Sequence, residues 1–172
     1  MLKRYTILGT LFVLILGTLA HYFYEWSNNN FFVGLFTPVN ESTWEHMKLV
    51  FFPMLIFSFT ISHKLQHNYP YIETSMLTGT IIGTALIPII FYTYTGILGC
   101  NIFFLDIATF IIAVIIAFYT IYYLTLSDYT QKYTYWIYLL TCILFVCFIL
   151  FTLNPPKIDL FISPTVTIQY PS

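Results

Sequence analysis

Ile102 to Leu126 reads IFFLDIATFIIAVIIAFYTIYYLTL, a run whose single charged residue is Asp106. As a helix rising ~1.5 Å per residue it crosses the ~30 Å hydrocarbon core of a bilayer. It carries no polar stripe for water to solvate, so it belongs in lipid. Cutting the other apolar runs at charged and turn-rich stretches marks four more spans: Tyr5–Tyr24, Thr43–Ser62, Ser75–Ile97 and Tyr133–Leu153. The expected fold class is all-α, a polytopic transmembrane helix bundle of about five spans, forming one integral membrane domain over residues 1–172.

Composition points the same way. The 172 residues are 59% hydrophobic, 21% aromatic and 8% charged, with a mean hydropathy of +0.82, whereas soluble domains carry roughly 25% charged residues. The partner this implies is the lipid bilayer. A net charge of -1 supplies no basic field for nucleic acid, and no Lys/Arg cluster marks a polybasic lipid-binding tail. Cys100, Cys142 and Cys147 form no C-x-x-C pair, so neither disulfides nor a cysteine metal site is expected.

Short connections at 64–74, 98–101 and 127–132 make neighbouring spans antiparallel. Lys3, Arg4, Lys64 and Lys132 then share one side against Lys48 and Lys157, which predicts a multi-pass protein of the cytoplasmic (plasma) membrane with its N-terminus inside. The first span, with its basic start and Thr18-Leu19-Ala20, also matches a cleavable secretory signal, although its apolar stretch is long for one. Gly79-x-x-x-Gly83, preceded by Ser75, is a small-residue stripe for close helix packing, against another span or against a membrane-protein partner or second copy. Pro53 and Pro88 are expected to kink their spans.

The polar residues gather between spans one and two, in His21 to Lys48. The apolar middle, Phe31 to Val39, is interrupted by Gly34 and Pro38, which predicts a partly re-entrant segment buried in protein or lining a wet cavity. Ser42-Thr43-Trp44-Glu45 matches a capping box at the start of span two. Four-residue spacing puts His21 with Glu25, Glu41 with Glu45, and Ser42 with His46 on common helix faces. Asp106 lies one turn inside span four at the same level. Six of the chain's eleven acidic or histidine side chains thus meet at the outer end. Imidazole and carboxylate are the ligand set of zinc and similar divalent metals, so His21, Glu25, Glu41 and His46 are candidate ligands, and Glu41, Glu45 and Asp106 are candidate catalytic carboxylates. The competing readings are a buried hydrogen-bond and ion-pair network, including contacts of Asp106 with Lys48 or His46, and ion transport. His63 and His67 read as solvated residues at a helix end, and haem is not expected. Asn40 reads as a turn or cap residue. The tail, 154–172, is expected to be extended, with Leu160, Phe161, Val166 and Ile168 either covering the bundle mouth or fraying.

Asn40-Glu41-Ser42-Thr43-Trp44-Glu45-His46, with Glu25-Trp26-Ser27, Phe32-Val33-Gly34-Leu35-Phe36 and Pro38-Val39 before it, resembles a family of small uncharacterised bacterial multi-pass membrane proteins, a domain of unknown function. Its motif residues are Asn40, Glu41, Ser42, Trp44, Glu45 and His46, with a weaker echo in Phe151-Thr152, Pro155-Pro156 and Leu160-Phe161. The family tail has Asp-Pro and Tyr-Gly where this chain has Ser163-Pro164 and Tyr170-Pro171. The resemblance implies a membrane location and points to the motif region, with no activity attached. Function is therefore read from the cluster: a metal-binding membrane enzyme, or else a structural or accessory subunit, or a small transporter or sensor.

With the three native cysteines replaced by serine, Tyr69→Cys is expected to react with impermeant thiol reagents only after the membrane is opened. Thr167→Cys should react in sealed cells, and labelling of both from one side would exclude five spans.

Overall fold

The structure, a computed structural model, describes residues 1–127 and 129–164. It is all-helical, with α1 (Leu2–Trp26), α2 (Phe31–Gly34), α3 (Thr43–Leu65), α4 (Ile72–Leu98), α5 (Phe103–Ser127) and α6 (Thr134–Leu153). Two 3-10 turns, Tyr129–Tyr133 and Asp159–Phe161, precede and follow α6. All helices but α2 are long and apolar enough to cross a membrane, and each runs a few residues past the ends expected from hydropathy or starts within a residue of them. Of the tail residues singled out above, Val166, Thr167, Ile168, Tyr170 and Pro171 lie outside the described residues.

Burial ranks the helices. In α3, 67% of the apolar window is buried, against 11% in α6. Thus α3 is the central post, packed on α1, α4 and α5, while α6 lies at the periphery and leans on α3 through Phe145 and Phe148 against Phe52. Phe51, Val50, Val13, Ala113, Val114 and Phe148 form the dry centre, each fully buried.

Threonine is frequent in these helices, and its hydroxyl needs a partner where there is no water. Thr80, Thr109, Thr125 and Thr141 each donate to the carbonyl four residues back, at 2.7 to 2.9 Å. That local bond lets a polar residue sit in an apolar helix. Thr74 and Ser75, which also bond to the Tyr71 carbonyl, reach across to the Thr130 hydroxyl and pin the turn before α6 to the start of α4. Neither proline interrupts the α-helix that contains it. At the end of α4, Gly99 adopts φ +70 and returns its N–H to the Thr95 carbonyl at 2.8 Å, closing the helix and opening the tight turn into α5.

The Gly79/Gly83 stripe is used inside the chain. A Cβ on Gly79 would collide with the Ile121 side chain and stand 2.9 Å from the Ala117 carbonyl oxygen, and one on Gly83 would stand 2.8 Å from the Ala117 Cβ. So α4 and α5 touch backbone to backbone along this face, and the stripe is filled without a partner molecule.

Gly79→Ala should therefore lower stability by about 1 to 3 kcal/mol, the usual range for overpacking. Gly96→Ala, with open space around its Cβ, should be neutral or stabilising; thermal melts of the detergent-purified variants distinguish the two.

Candidate metal centre

Five chain segments end at one level: the last turn of α1, the α2 segment, the first turn of α3, the α4–α5 connection and the end of α6. The segment from Ser27 to Ser42 is built from short-range turns. Asn28 and Asn29 take left-handed φ values of 55 and 57, which Asn tolerates better than most residues. Asn30 then caps the single turn of α2, its Oδ1 accepting from the N–H groups of Phe32 (2.9 Å) and Val33 (3.4 Å).

Ser42 opens α3, its Oγ accepting from the Glu45 N–H at 3.4 Å. The reciprocal half of the expected capping box does not form, because Asn40 Oδ1 already takes the Ser42 N–H at 2.8 Å. Glu45 turns to a buried lysine instead. Its Oε2 accepts from Lys48 Nζ at 2.7 Å and from the Val39 N–H at 3.0 Å, while Oε1 faces the Thr152 hydroxyl of α6 at 3.1 Å. Lys48, fully buried, also donates to the carbonyls of Gly34 (3.0 Å) and Thr37 (3.3 Å), so its three ammonium protons all have acceptors. Glu45, proposed from sequence as a catalytic carboxylate, is thus committed to an ion pair. Trp44 is equally structural: its ring packs on Phe148 (4.7 Å) and Phe161 (4.9 Å), seating the last 3-10 turn on α3.

The tied segment carries Glu41 to the gap between α1 and α3. There Glu41 Oε2 lies 3.3 Å from His46 Nε2 and 3.6 Å from His21 Nε2, and the two Nε2 atoms are 3.3 Å apart. His46 Nδ1 donates to the Ser42 carbonyl at 2.9 Å, which places a proton on Nδ1 and turns Nε2 toward the other two groups, where it can donate to Glu41 when the ring is protonated on both nitrogens. The hydrogen bonds with His21 first, then His46, hold the Glu41 carboxyl well below its ordinary value, so it is ionised at neutral pH. His21, Glu41 and His46 make a three-donor group suited to a metal ion.

Two other expected members stand apart. Glu25, one turn beyond His21, is exposed and makes no side-chain hydrogen bond or ion pair among the described residues. Asp106 does not pair with Lys48. It accepts from the Tyr94 hydroxyl, which also lies 2.8 Å from the Asn101 side-chain amide, and it is close enough to His46 and Glu41 to feel their charge. Tyr94 and Asn101 were not picked out from sequence. Their signal was present, since a tyrosine in the last turn of α4 and a carboxylate in the first turn of α5 face each other across a tight glycine turn. Below the triad the bundle closes. One turn down from His21, a Cβ on Gly17 would be 2.5 Å from the Leu49 carbonyl oxygen and 2.6 Å from the Phe110 ring, and fully buried Val13, Val50 and Val114 continue inward. A cavity of about 250 Å³ opens at the same end between α4 and the tail, lined by Thr43, Phe91, Tyr92, Asp159 and Ile162, and none of the triad lines it.

The chain belongs to a family of unknown function (DUF6512), whose family model matches residues 1–171. No curated protein and no solved structure matches it.

Glu45→Gln or Lys48→Met alone should each destabilise the protein by about 3 to 5 kcal/mol, because each leaves a buried charge without its partner. The double variant should recover most of that loss, and strict additivity in chemical denaturation would contradict the pairing.

Proposed function

We propose that the protein is an integral membrane metalloprotein in which His21, Glu41 and His46 hold a zinc-type divalent ion at the outward-facing end of the bundle, and that it acts as a metal-assisted membrane enzyme. One observation carries this reading. Zinc bonds nitrogen and oxygen at ~2.0 to 2.2 Å, so tetrahedral ligand atoms stand about 3.3 to 3.6 Å from one another. The three separations here are 3.3, 3.3 and 3.6 Å. The same three groups hydrogen-bond one another at or beyond the long end of the usual ~2.7 to 3.2 Å N–H···O range, so an ion could replace these contacts without rearrangement of the side chains.

The donor set fits the chemistry. Two imidazoles and one carboxylate leave a fourth position open, as in catalytic rather than structural zinc sites. A bound ion would supply Lewis acidity and an activated water there. Asp106, polarised by Tyr94, is the group proposed to hold or move a proton beside it, and Glu41 is proposed as ligand rather than base. The carbonyl partner on His46 Nδ1 is the usual outer support of a metal-bound imidazole.

The outward placement rests on charge. Lys3, Arg4, Lys64 and Lys132 flank the opposite end, while at this end Lys48 is buried and paired, which leaves Lys157 as the free cation among the described residues. That imbalance favours the triad on the non-cytoplasmic side of the cytoplasmic membrane. The closed floor at Gly17, Leu49 and Phe110 favours a blind site over a transport path, and a site of this donor set is more than an accessory subunit needs for packing.

Purified protein should contain about one equivalent of zinc. His21→Ala and His46→Ala should lose it, Glu41→Gln should weaken it about 10- to 100-fold, and His63→Ala, whose ring pairs with Gln66 at the other end, should keep it. Metal-free wild-type protein that takes up no zinc on titration would defeat the proposal.

A further inference from the structure

The triad is not an isolated pit. Rings run from it to the outer face of α1: His46 to His21 at 5.2 Å, His21 to Tyr22 at 5.3 Å, and Tyr22 stacked on Trp26 at 5.7 Å with planes 19° apart. Tyr22 is 47% and Trp26 65% exposed. On α5, Phe103 and Phe104, three and two residues before Asp106, are also exposed. In a membrane-spanning chain these are side chains at the headgroup level, where aromatic residues collect. The route to the ion along α1 is therefore apolar and aromatic, with its polar end at the metal.

Charge narrows the visitor. This end of the molecule holds Glu25, Glu41, Glu45, Asp106 and Asp159 against Lys48 and Lys157, a formal excess of three negative charges in a chain whose net is -1. A bound divalent ion leaves the excess negative. Lys48 is spent on Glu45, and no arginine lies at this end. Phosphate recognition elsewhere relies on Arg forks, Lys or helix N-termini aimed at the anion. The N-terminus of α3 is already capped by Ser42 and Asn40. Besides the ion, only Lys157, beyond the end of α6, offers this end a positive charge for an anionic head.

We propose, resting on the metal reading above, that the ligand of this site is a membrane lipid whose head carries no net charge, presenting an ester or amide carbonyl to the ion from the Tyr22–Trp26 flank of α1. The hydrocarbon chains stay in the bilayer beside α1, the rings of Tyr22 and Trp26 cover the glycerol-level part of the lipid, and the carbonyl oxygen would reach the ion that His21, Glu41 and His46 would hold. No charge must be brought to a surface that is already negative.

The test uses full-length protein in dodecyl maltoside with cobalt(II) in the site, whose visible absorption reports its ligands. Mono-oleoylglycerol, oleoyl lysophosphatidate and glycerol monoacetate are titrated in parallel, which separates chain from charge. Mono-oleoylglycerol should change the spectrum at a concentration at least about tenfold lower than either comparator, corresponding to ~1.4 kcal/mol. Tyr22→Ser should take up cobalt as the wild type does and raise the half-saturating concentration of mono-oleoylglycerol by a similar factor. If lysophosphatidate or the soluble monoacetate is as effective, or Tyr22→Ser makes no difference, the lipid inference is overturned while the metal centre stands. If cobalt is not taken up at all, the metal reading falls and takes this one with it.

Discussion

The Glu45–Lys48 pair is the contact on which the polar end of the molecule depends. Both side chains are buried, and there an unpaired charge is expensive and breaking a pair is worse than never having made it. The solution is full satisfaction. Lys48 is shared among one carboxylate and two carbonyls, and Glu45 among an ammonium, a backbone N–H and a hydroxyl. Those partners come from the α2 segment, α3 and α6, so one buried pair joins three parts of the chain that hydropathy alone would leave unconnected. The irregular backbone from Gly34 to Val39 is tolerated at this depth because the pair answers its carbonyls and its N–H.

Glu41 follows from that bracing. It is held neither by a helix nor by its own burial, since its side chain is 65% exposed. Its position is set by Val39 fixed on one side and by Ser42 starting α3 on the other. The two histidines, by contrast, are rigid: His21 rides on the last turns of α1, and His46 is locked by the Ser42 carbonyl. A group built from two stiff side chains and one on a braced loop keeps its geometry while leaving a side open, which is the arrangement that the proposed ion would need.

The spans were legible because the physics of lipid is one-dimensional in sequence: apolar length predicts crossing, and the five helices fall within a few residues of their expected ends. The site was legible only in part. Four-residue spacing correctly puts Glu25 on the His21 face of α1, yet a common helix face says nothing about which neighbour covers it, and Glu25 extends beyond the level where α3 begins. Glu45 matched a capping box by pattern, but Lys48 three residues on offered a stronger partner, and Asn40 had already taken the N–H that Glu45 would have used. Asp106 was visible as an intramembrane carboxylate, whereas its partner Tyr94 was hidden among many tyrosines and emerges only when the Gly99 turn folds α4 back along α5. The glycine stripe was read correctly as a packing surface. Whether its partner lies inside or outside the chain is a tertiary fact that spacing cannot carry.

The division of labour among the polar residues bears on what kind of protein this is. A transport path needs exchangeable polar groups in series from one face to the other; here several buried threonines turn back on their own helices, and below the triad Gly17, Leu49 and Phe110 pack at near-contact distance. An accessory subunit needs packing surfaces, and this chain uses its small-residue stripe internally. What remains unspent is the triad. His21 and Glu41 have no other side-chain partners than one another and His46 among the described residues, in a molecule where the neighbouring Glu45, Lys48, Thr152 and Asn40 are committed to structure. Groups at the end of the bundle that partner only one another are the ones open to a further ligand, and two imidazoles with a carboxylate at this spacing form a donor set that could hold a divalent ion, which is the reading proposed for them above.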